Sequence, residues 1–406
     1  MTSAPPDSLD VFDPRHLDDP NRLYDLLRST APVHRVGETN FYLVSSWDLV
    51  TEAVSRTDDF SSNLTAALVR GPDGTSSVFE MDVLGSAMHV LATADDPAHA
   101  AQRRIVAPAV GQRLKAIEPM VTELVEQLWS ENLRDGRIEW VSGMADRLPL
   151  AVVARLLGLP DEDLPQLLGW AYDSTEMLSG LVESDRMGQL TTSAVELAGY
   201  LYSSLQSARD EPRDDVTGVL ASAVDAGEIA PEVAVLILVQ LVGAGGESTA
   251  ALTANAARML AADAELQDRL RAEPALIGNF LEEALRLESP FRAHHRHVTT
   301  DTSLGGVDLR ADSHLMLMWG AANRDPANFA EPDRIDLDRK GSRAHVAFGK
   351  GAHFCIGAAL ARMEAHAAIA ALLENSSRVS LIHSDEPRWV PSIMVRRHEY
   401  LPLRIS

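Results

Sequence analysis

Phe348-Gly349-Lys350-Gly351-Ala352-His353-Phe354-Cys355-Ile356-Gly357 contains the only cysteine of the chain. Its glycines let the backbone pass close to something flat or bulky. The residues that follow, 358–373, read as a helix. A helix starting there puts free backbone N–H groups beside the Cys355 sulfur, and these favour thiolate over thiol. One cysteine excludes an intrachain disulfide, a four-cysteine zinc site and an iron–sulfur cluster held by this chain alone.

A thiolate in such a nest can be a nucleophile, an inert core residue or one axial ligand to an iron porphyrin. A nucleophile wants a base, and His353 is two residues away. A porphyrin wants partners for two propionates. The chain offers His99, Arg103, Arg296, His345 and His353. His99 and Arg103 are four apart, so on a helix both can face one group.

Outward from the loop, the 406 residues carry 59 Asp plus Glu against 36 Lys plus Arg, a net charge of −23. That argues against bulk attraction to nucleic acid or to an anionic membrane. The start of the chain lacks the basic, then apolar, pattern of a secretory signal. The most apolar run, 233–246, is short and contains Gln240, so no membrane span and a cytoplasmic location are expected. Helices are predicted over 21–29, 114–132, 144–157, 160–174, 191–209, 231–262 and 274–287. The helix 231–262 is expected to be interrupted at Gly243, Gly245 and Gly246. Short antiparallel strands are predicted over 298–318 and 379–405. Residues 1–12 read as an extended tail. Residues 62–92 read as a structureless insert of the lid or binding-loop kind. One domain, mainly α with small antiparallel β-sheets, is expected.

The cysteine segment resembles the haem-binding loop of the cytochrome P450 superfamily at Phe348, Gly349, Gly351, His353, Cys355 and Gly357. The resemblance is to the soluble bacterial, ferredoxin-dependent members. It implies a triangular helical prism around a buried haem b, with Cys355 as the axial thiolate on iron. Phe348 would pack beside the thiolate and His353 would bond a propionate. His99, Arg103 and Arg296 fall where the family has further propionate partners. Glu283-Ala284-Leu285-Arg286 resembles the family's acid-x-x-arginine helix, with Arg334 as the third member of a structural trio. Ala244-Gly245-Gly246-Glu247-Ser248-Thr249 resembles the centre of the family's distal helix, with Ala244 over the haem. The family's usual threonine after the acid is Ser248 here. Ser248 keeps the hydroxyl without the methyl that fixes its rotamer, and Thr249 stands one step later.

The chemistry implied is activation of O2 and insertion of one oxygen atom, by hydroxylation or epoxidation. Glu247 and Ser248, or Thr249, would organise proton delivery. No flavin domain or dinucleotide fingerprint is visible, so NAD(P)H would act indirectly, through a ferredoxin reductase and a ferredoxin. Arg103, Arg104, Arg113 and Lys115 form one acid-free basic stretch, and Arg339, Lys340, Arg343 and Lys350 another. Both suit an acidic ferredoxin. The substrate pocket would draw on Gln240, Gly243, Phe291 and His294. A hydrophobic small molecule such as a steroid, terpenoid, fatty acyl chain, macrolide or aromatic compound would fit, and a monomer is expected. The alternatives are a haem-thiolate peroxygenase or other non-oxygenase enzyme, and a non-catalytic haem sensor.

Overall fold

The computed structural model describes residues 9–82, 85 and 87–406. Of the tail expected at 1–12, only Leu9 onward is described. There the expectation fails, because Val11 and Phe12 are buried in a core cluster with Leu23, Tyr24 and Leu27.

Three helices position the site. The crossing helix, Ala98–Asn132, starts well before the predicted 114 and runs through Pro108 and Pro119. The central helix, Pro231–Ala262, begins with proline at its first turn, where the missing N–H would have had no partner. The cysteine helix, Ala358–Glu374, starts right after the loop. The central helix is continuous, so the predicted interruption is corrected. Its glycines serve close packing. A β-carbon on Gly243 would lie 2.6 Å from Ser174 Oγ, and one on Gly245 would lie 2.4 Å from Val153 Cγ2. The C-terminal half, Ala250 to Leu260, is buried almost throughout. Alanine there leaves no bulk to keep neighbouring helices apart. Among the described residues this helix alone is long and apolar enough to cross a membrane, and over half of its most apolar stretch is buried inside the protein.

The largest sheet runs Val33–Arg35, Phe41–Val44, His314–Leu317, His294–Val298, Phe60–Ser61. Four small antiparallel units accompany it. The expectation of purely antiparallel pairing is corrected at one place, since His314–Leu317 runs parallel to Phe41–Val44. In His294–Val298 alternate residues share a face, so His294 and Arg296 point the same way. The segment 62–92 is also corrected. It contains a hairpin, Ala66–Arg70 with Ser76–Glu80, turned through Gly74 at φ +82°. The following Leu91 and Ala92 are tied down: Leu91 N–H donates to Gln102 Oε1 at 2.7 Å, and Ala92 N–H to Gln240 Oε1 at 3.0 Å.

Candidate functional site

The cysteine loop holds its own shape. Gly349 and Gly351 take φ +71° and +72°, which side-chain-bearing residues rarely adopt. Cys355 N–H donates to the Phe348 carbonyl at 2.9 Å. Arg103 reaches in from the crossing helix and donates to the Phe354 carbonyl at 2.7 Å. Nη2 of Arg103 thus braces the loop backbone, which leaves its other N–H groups for the propionate role that the resemblance implies. Burial pushes the Cys355 thiol up. The N–H groups of Gly357 and Ala358, with Arg103 and Arg362, only partly offset this. The N–H groups thus favour the thiolate, as read from sequence, but burial outweighs them. A bound metal would remove the proton outright.

Arg296 is buried and donates only to the His295 carbonyl, at 2.7 Å. No carboxylate pairs with it among the described residues. Burial pulls its guanidinium down to about 10, with Asp95 opposing. A buried cation without a counter-ion is costly, so the site calls for an anion. His99 and His353 stack with centroids 4.0 Å apart, and His353 Nε2 lies 3.1 Å from Ser62 Oγ. Burial, with His99 and Arg296 close by, brings His353 down to about 4. These residues fit the two propionates of a haem ligated by Cys355.

His345 does something else. Its Nε2 lies 2.9 Å from Glu282 Oε2, and its Nδ1 accepts from the Ala347 N–H at 3.2 Å. Both ring nitrogens are used, so its candidacy as a propionate partner is withdrawn. Burial would raise the Glu282 carboxyl, but His345 and Arg362 outweigh that and bring it down to about 2. Arg362 also lies over the Phe348 ring, 4.5 Å from its centroid.

Glu283 and Arg286 are fully enclosed and joined by two bonds, of 2.8 and 2.9 Å. The expected third member, Arg334, is corrected to Arg339. The Arg334 side chain is 70% exposed and offers only its carbonyl to Arg286. Arg339 Nε donates to Glu283 Oε1 at 3.0 Å from a nearly closed position. The chain after Arg334 curls back over Glu283, marked by Asp336 N–H donating to Glu283 Oε2.

On the central helix, Ala244 is exposed, Ser248 half-buried, and Glu247 and Thr249 buried. Ser248 Oγ donates to the Ala244 carbonyl at 2.8 Å, one turn back. The Thr249 carbonyl accepts from Thr253 Oγ1. Glu247 Oε1 accepts from Arg397 Nε at 2.7 Å, and its Oε2 has no partner among the described residues. Two pocket candidates move. Gly243 packs on Ser174, and Gln240 spends its carbonyl on Ala92. His294 lies between Phe291 and Trp319, with centroids 5.4 and 5.8 Å away. Burial brings it down to about 3. Residues missed from sequence are Arg397, Tyr172 and Asp146. The one available signal was an acid amid apolar helix residues, which demands a cation without saying which.

A braced cysteine loop, with a buried arginine that no carboxylate pairs among the described residues, is the arrangement of a haem-thiolate protein. Known proteins agree with that class. Residues 201–391 match the family model described as Cytochrome P450. Cytochrome P450 144 of Mycobacterium tuberculosis is 47% identical over 401 residues, covering 98% of this chain and 92% of that protein. 6-Deoxyerythronolide B hydroxylase of Saccharopolyspora erythraea is 29% identical and is covered, like this chain, over 100% of its length. The crystal structure of CYP109E1 from Bacillus megaterium in complex with testosterone superposes with a TM-score of 0.85 at 30% identity, over 97% of this chain and 99% of that one. The chain belongs to the cytochrome P450 family of monooxygenases.

Proposed function

We propose that this chain hydroxylates or epoxidises a hydrophobic small molecule, using O2 and electrons from NAD(P)H relayed by a ferredoxin reductase and a ferredoxin. It acts as a cytoplasmic, single-domain monomer. Relatives support a bulky substrate, since one is named for 6-deoxyerythronolide B and another was solved with testosterone. Cys355 would hold the haem iron, while Arg296 and His353, backed by His99, would hold its propionates. When bound, haem supplies the reductive activation of dioxygen.

The chain's own residues supply position and protons. Glu247 Oε2, buried and without a partner, is the observation that carries this reading. It is an acceptor that can hold a proton one residue from Ser248. A turn of the Ser248 side chain off the Ala244 carbonyl frees its hydroxyl to pass a proton inward. Phe291, Trp319 and the neutral His294 give an apolar wall with one polar handle. For electron delivery, four of the eight basic residues noted in the sequence are already engaged, Arg343 among them through Glu282 at 3.6 Å. Arg103 holds Phe354, Arg113 pairs with Asp214 and Arg339 pairs with Glu283. Arg104, Lys115, Lys340 and Lys350 remain exposed for an acidic partner.

The test is reconstitution of the holoprotein with a ferredoxin and its reductase. Compounds that shift the haem absorption band are then assayed for product and reduced nicotinamide consumed. Product that needs both O2 and the reductase supports the reading. Product formed only from added peroxide would make it a peroxygenase instead.

A further inference from the structure

Glu247 belongs to a longer buried chain. The Tyr172 hydroxyl donates to Asp146 Oδ1. The Arg397 guanidinium lies over the Tyr172 ring, 4.0 Å from its centroid, and its Nε reaches Glu247 Oε1. The four residues come from four elements. Asp146 precedes the helix Arg147–Leu157, and Tyr172 lies on the helix Leu164–Glu176. Arg397 precedes the strand His398–Tyr400, and Glu247 is on the central helix. We propose that Asp146, Tyr172 and Arg397 are positioning residues for Glu247, and that the charge on Asp146 sets how firmly Arg397 holds Glu247 away from Ser248. This rests on the oxygenase reading of Glu247 and Ser248.

The geometry makes Arg397 a shared cation. One guanidinium answers two carboxylates, one through a direct bond and one through the face of a tyrosine whose hydroxyl the second carboxylate holds. The Arg397 side chain is 14% exposed and that of Glu247 is 3% exposed, so water screens the pair poorly. Asp146 forms no ion pair of its own among the described residues. A bridge built only for stability would use both oxygens of Glu247, yet Oε2 is left over.

The groups acting on Asp146 are Tyr172, Arg397, Glu139 and Glu247. Burial is the largest influence and pushes Asp146 up to about 6. Glu139 and Glu247 add to this, while the Tyr172 hydrogen bond and Arg397 oppose it. Below that pH Asp146 is neutral, Arg397 answers Glu247 alone, and Glu247 is held tightly. Above it Arg397 is shared and Glu247 loosens. Coupling of reduced nicotinamide to product therefore rises with pH through this range.

The experiment has two arms on the holoprotein. Infrared difference spectra follow carboxyl protonation without turnover. The wild type shows a band titrating near the Asp146 value, which Asp146→Asn removes. Glu247→Gln moves its midpoint downward, because a negative neighbour is gone and all of Arg397 serves Asp146. The second arm measures product per reduced nicotinamide against pH. Asp146→Asn and Tyr172→Phe lower that ratio several-fold at neutral pH and flatten its rise, with haem content and substrate-induced spectral shift unchanged. Tyr172→Phe keeps the ring over Arg397, so it separates the hydroxyl link from packing. An Asp146 midpoint that ignores Glu247→Gln, or a pH profile that survives Asp146→Asn, overturns the proposal. A wild type that makes no product at any pH instead sinks the oxygenase reading, and the infrared arm still reports on the coupling.

Discussion

The cysteine side and the central-helix side of the candidate site are built on opposite terms. On the cysteine side the polar atoms of the loop and its approach are paired, and the unpartnered buried oxygen there, Glu364 Oε2, lies on the helix behind the loop. The loop closes on itself through Cys355 N–H to Phe348, Arg103 clamps Phe354, and His345, Glu282 and Arg362 lock the approach. Behind them Glu283 serves Arg286, Arg339 and the Asp336 N–H together. On the central-helix side Glu247 keeps an unpartnered oxygen, and Ser248 is satisfied only by its own helix. Saturated polar networks are rigid, and unsaturated ones can change partners. A metal ligand needs the first property, and a group that moves protons needs the second.

The harshest way to break the comparison is Cys355→Ala. It should abolish the thiolate-type absorption of the reduced carbon monoxide complex and all reductase-driven turnover, while far-ultraviolet circular dichroism stays helical. A thiolate-type spectrum in that variant would remove the cysteine side from the argument altogether.

Next comes the brace behind the loop. Arg339→Ala takes a cation from enclosed Glu283 and should lower unfolding free energy by about 2–3 kcal/mol, with poorer haem retention. Arg334→Ala should stay within about 0.5 kcal/mol, as exposed sites do. Urea midpoints of the two variants decide it, and equal losses would restore Arg334 to the trio.

The open side should respond in function more than in fold. Ser248→Ala should keep haem content and substrate-induced spectral shifts, yet divert reducing equivalents to peroxide. Ser248→Thr should hold or improve coupling, because the added methyl restricts the rotamer. Product per reduced nicotinamide, read with peroxide release, is the measure. A larger loss in Thr249→Ala would transfer the role to Thr249.

The smallest effect concerns the outer surface. Arg104→Glu and Lys340→Glu should slow reduction by ferredoxin a few-fold at low salt and less at high salt, since salt screens exposed charge. Arg113→Glu, which breaks a pair with Asp214, should show no such salt dependence. Identical curves for all three would place the docking surface elsewhere.

The same contrast explains what could be read in advance. The cysteine side is written in ten consecutive residues, so the resemblance to a haem-binding loop carried it, where the residues by themselves left a nucleophile, a core cysteine and an axial ligand open. The central-helix network joins residues 146, 172, 247 and 397, and no local pattern links them. Arg334 was favoured over Arg339 because the curl that returns residues 336–339 to Glu283 leaves no trace in spacing. The hairpin at 66–80 was legible and missed. Pro72-Asp73-Gly74 between apolar runs is a turn signal, but its small polar residues were taken for looseness. Gly243 and Gly245 read as breaks, although glycine also lets helices touch, as Ser174 and Val153 show.

Leu91 and Ala92 carry a consequence of a mechanical kind. Two glutamine carbonyls, from the crossing and central helices, fasten them. Leu91 is bent to φ +39°, a conformation that costs a side-chain-bearing residue about 1–3 kcal/mol. This is a sprung latch, with tension stored on one side and two catches on the other. Gln240 sits two turns ahead of Glu247 on the same helix. Gln240→Ala removes one catch, so the backbone amides of Leu91 and Ala92 should exchange hydrogen faster than in the wild type.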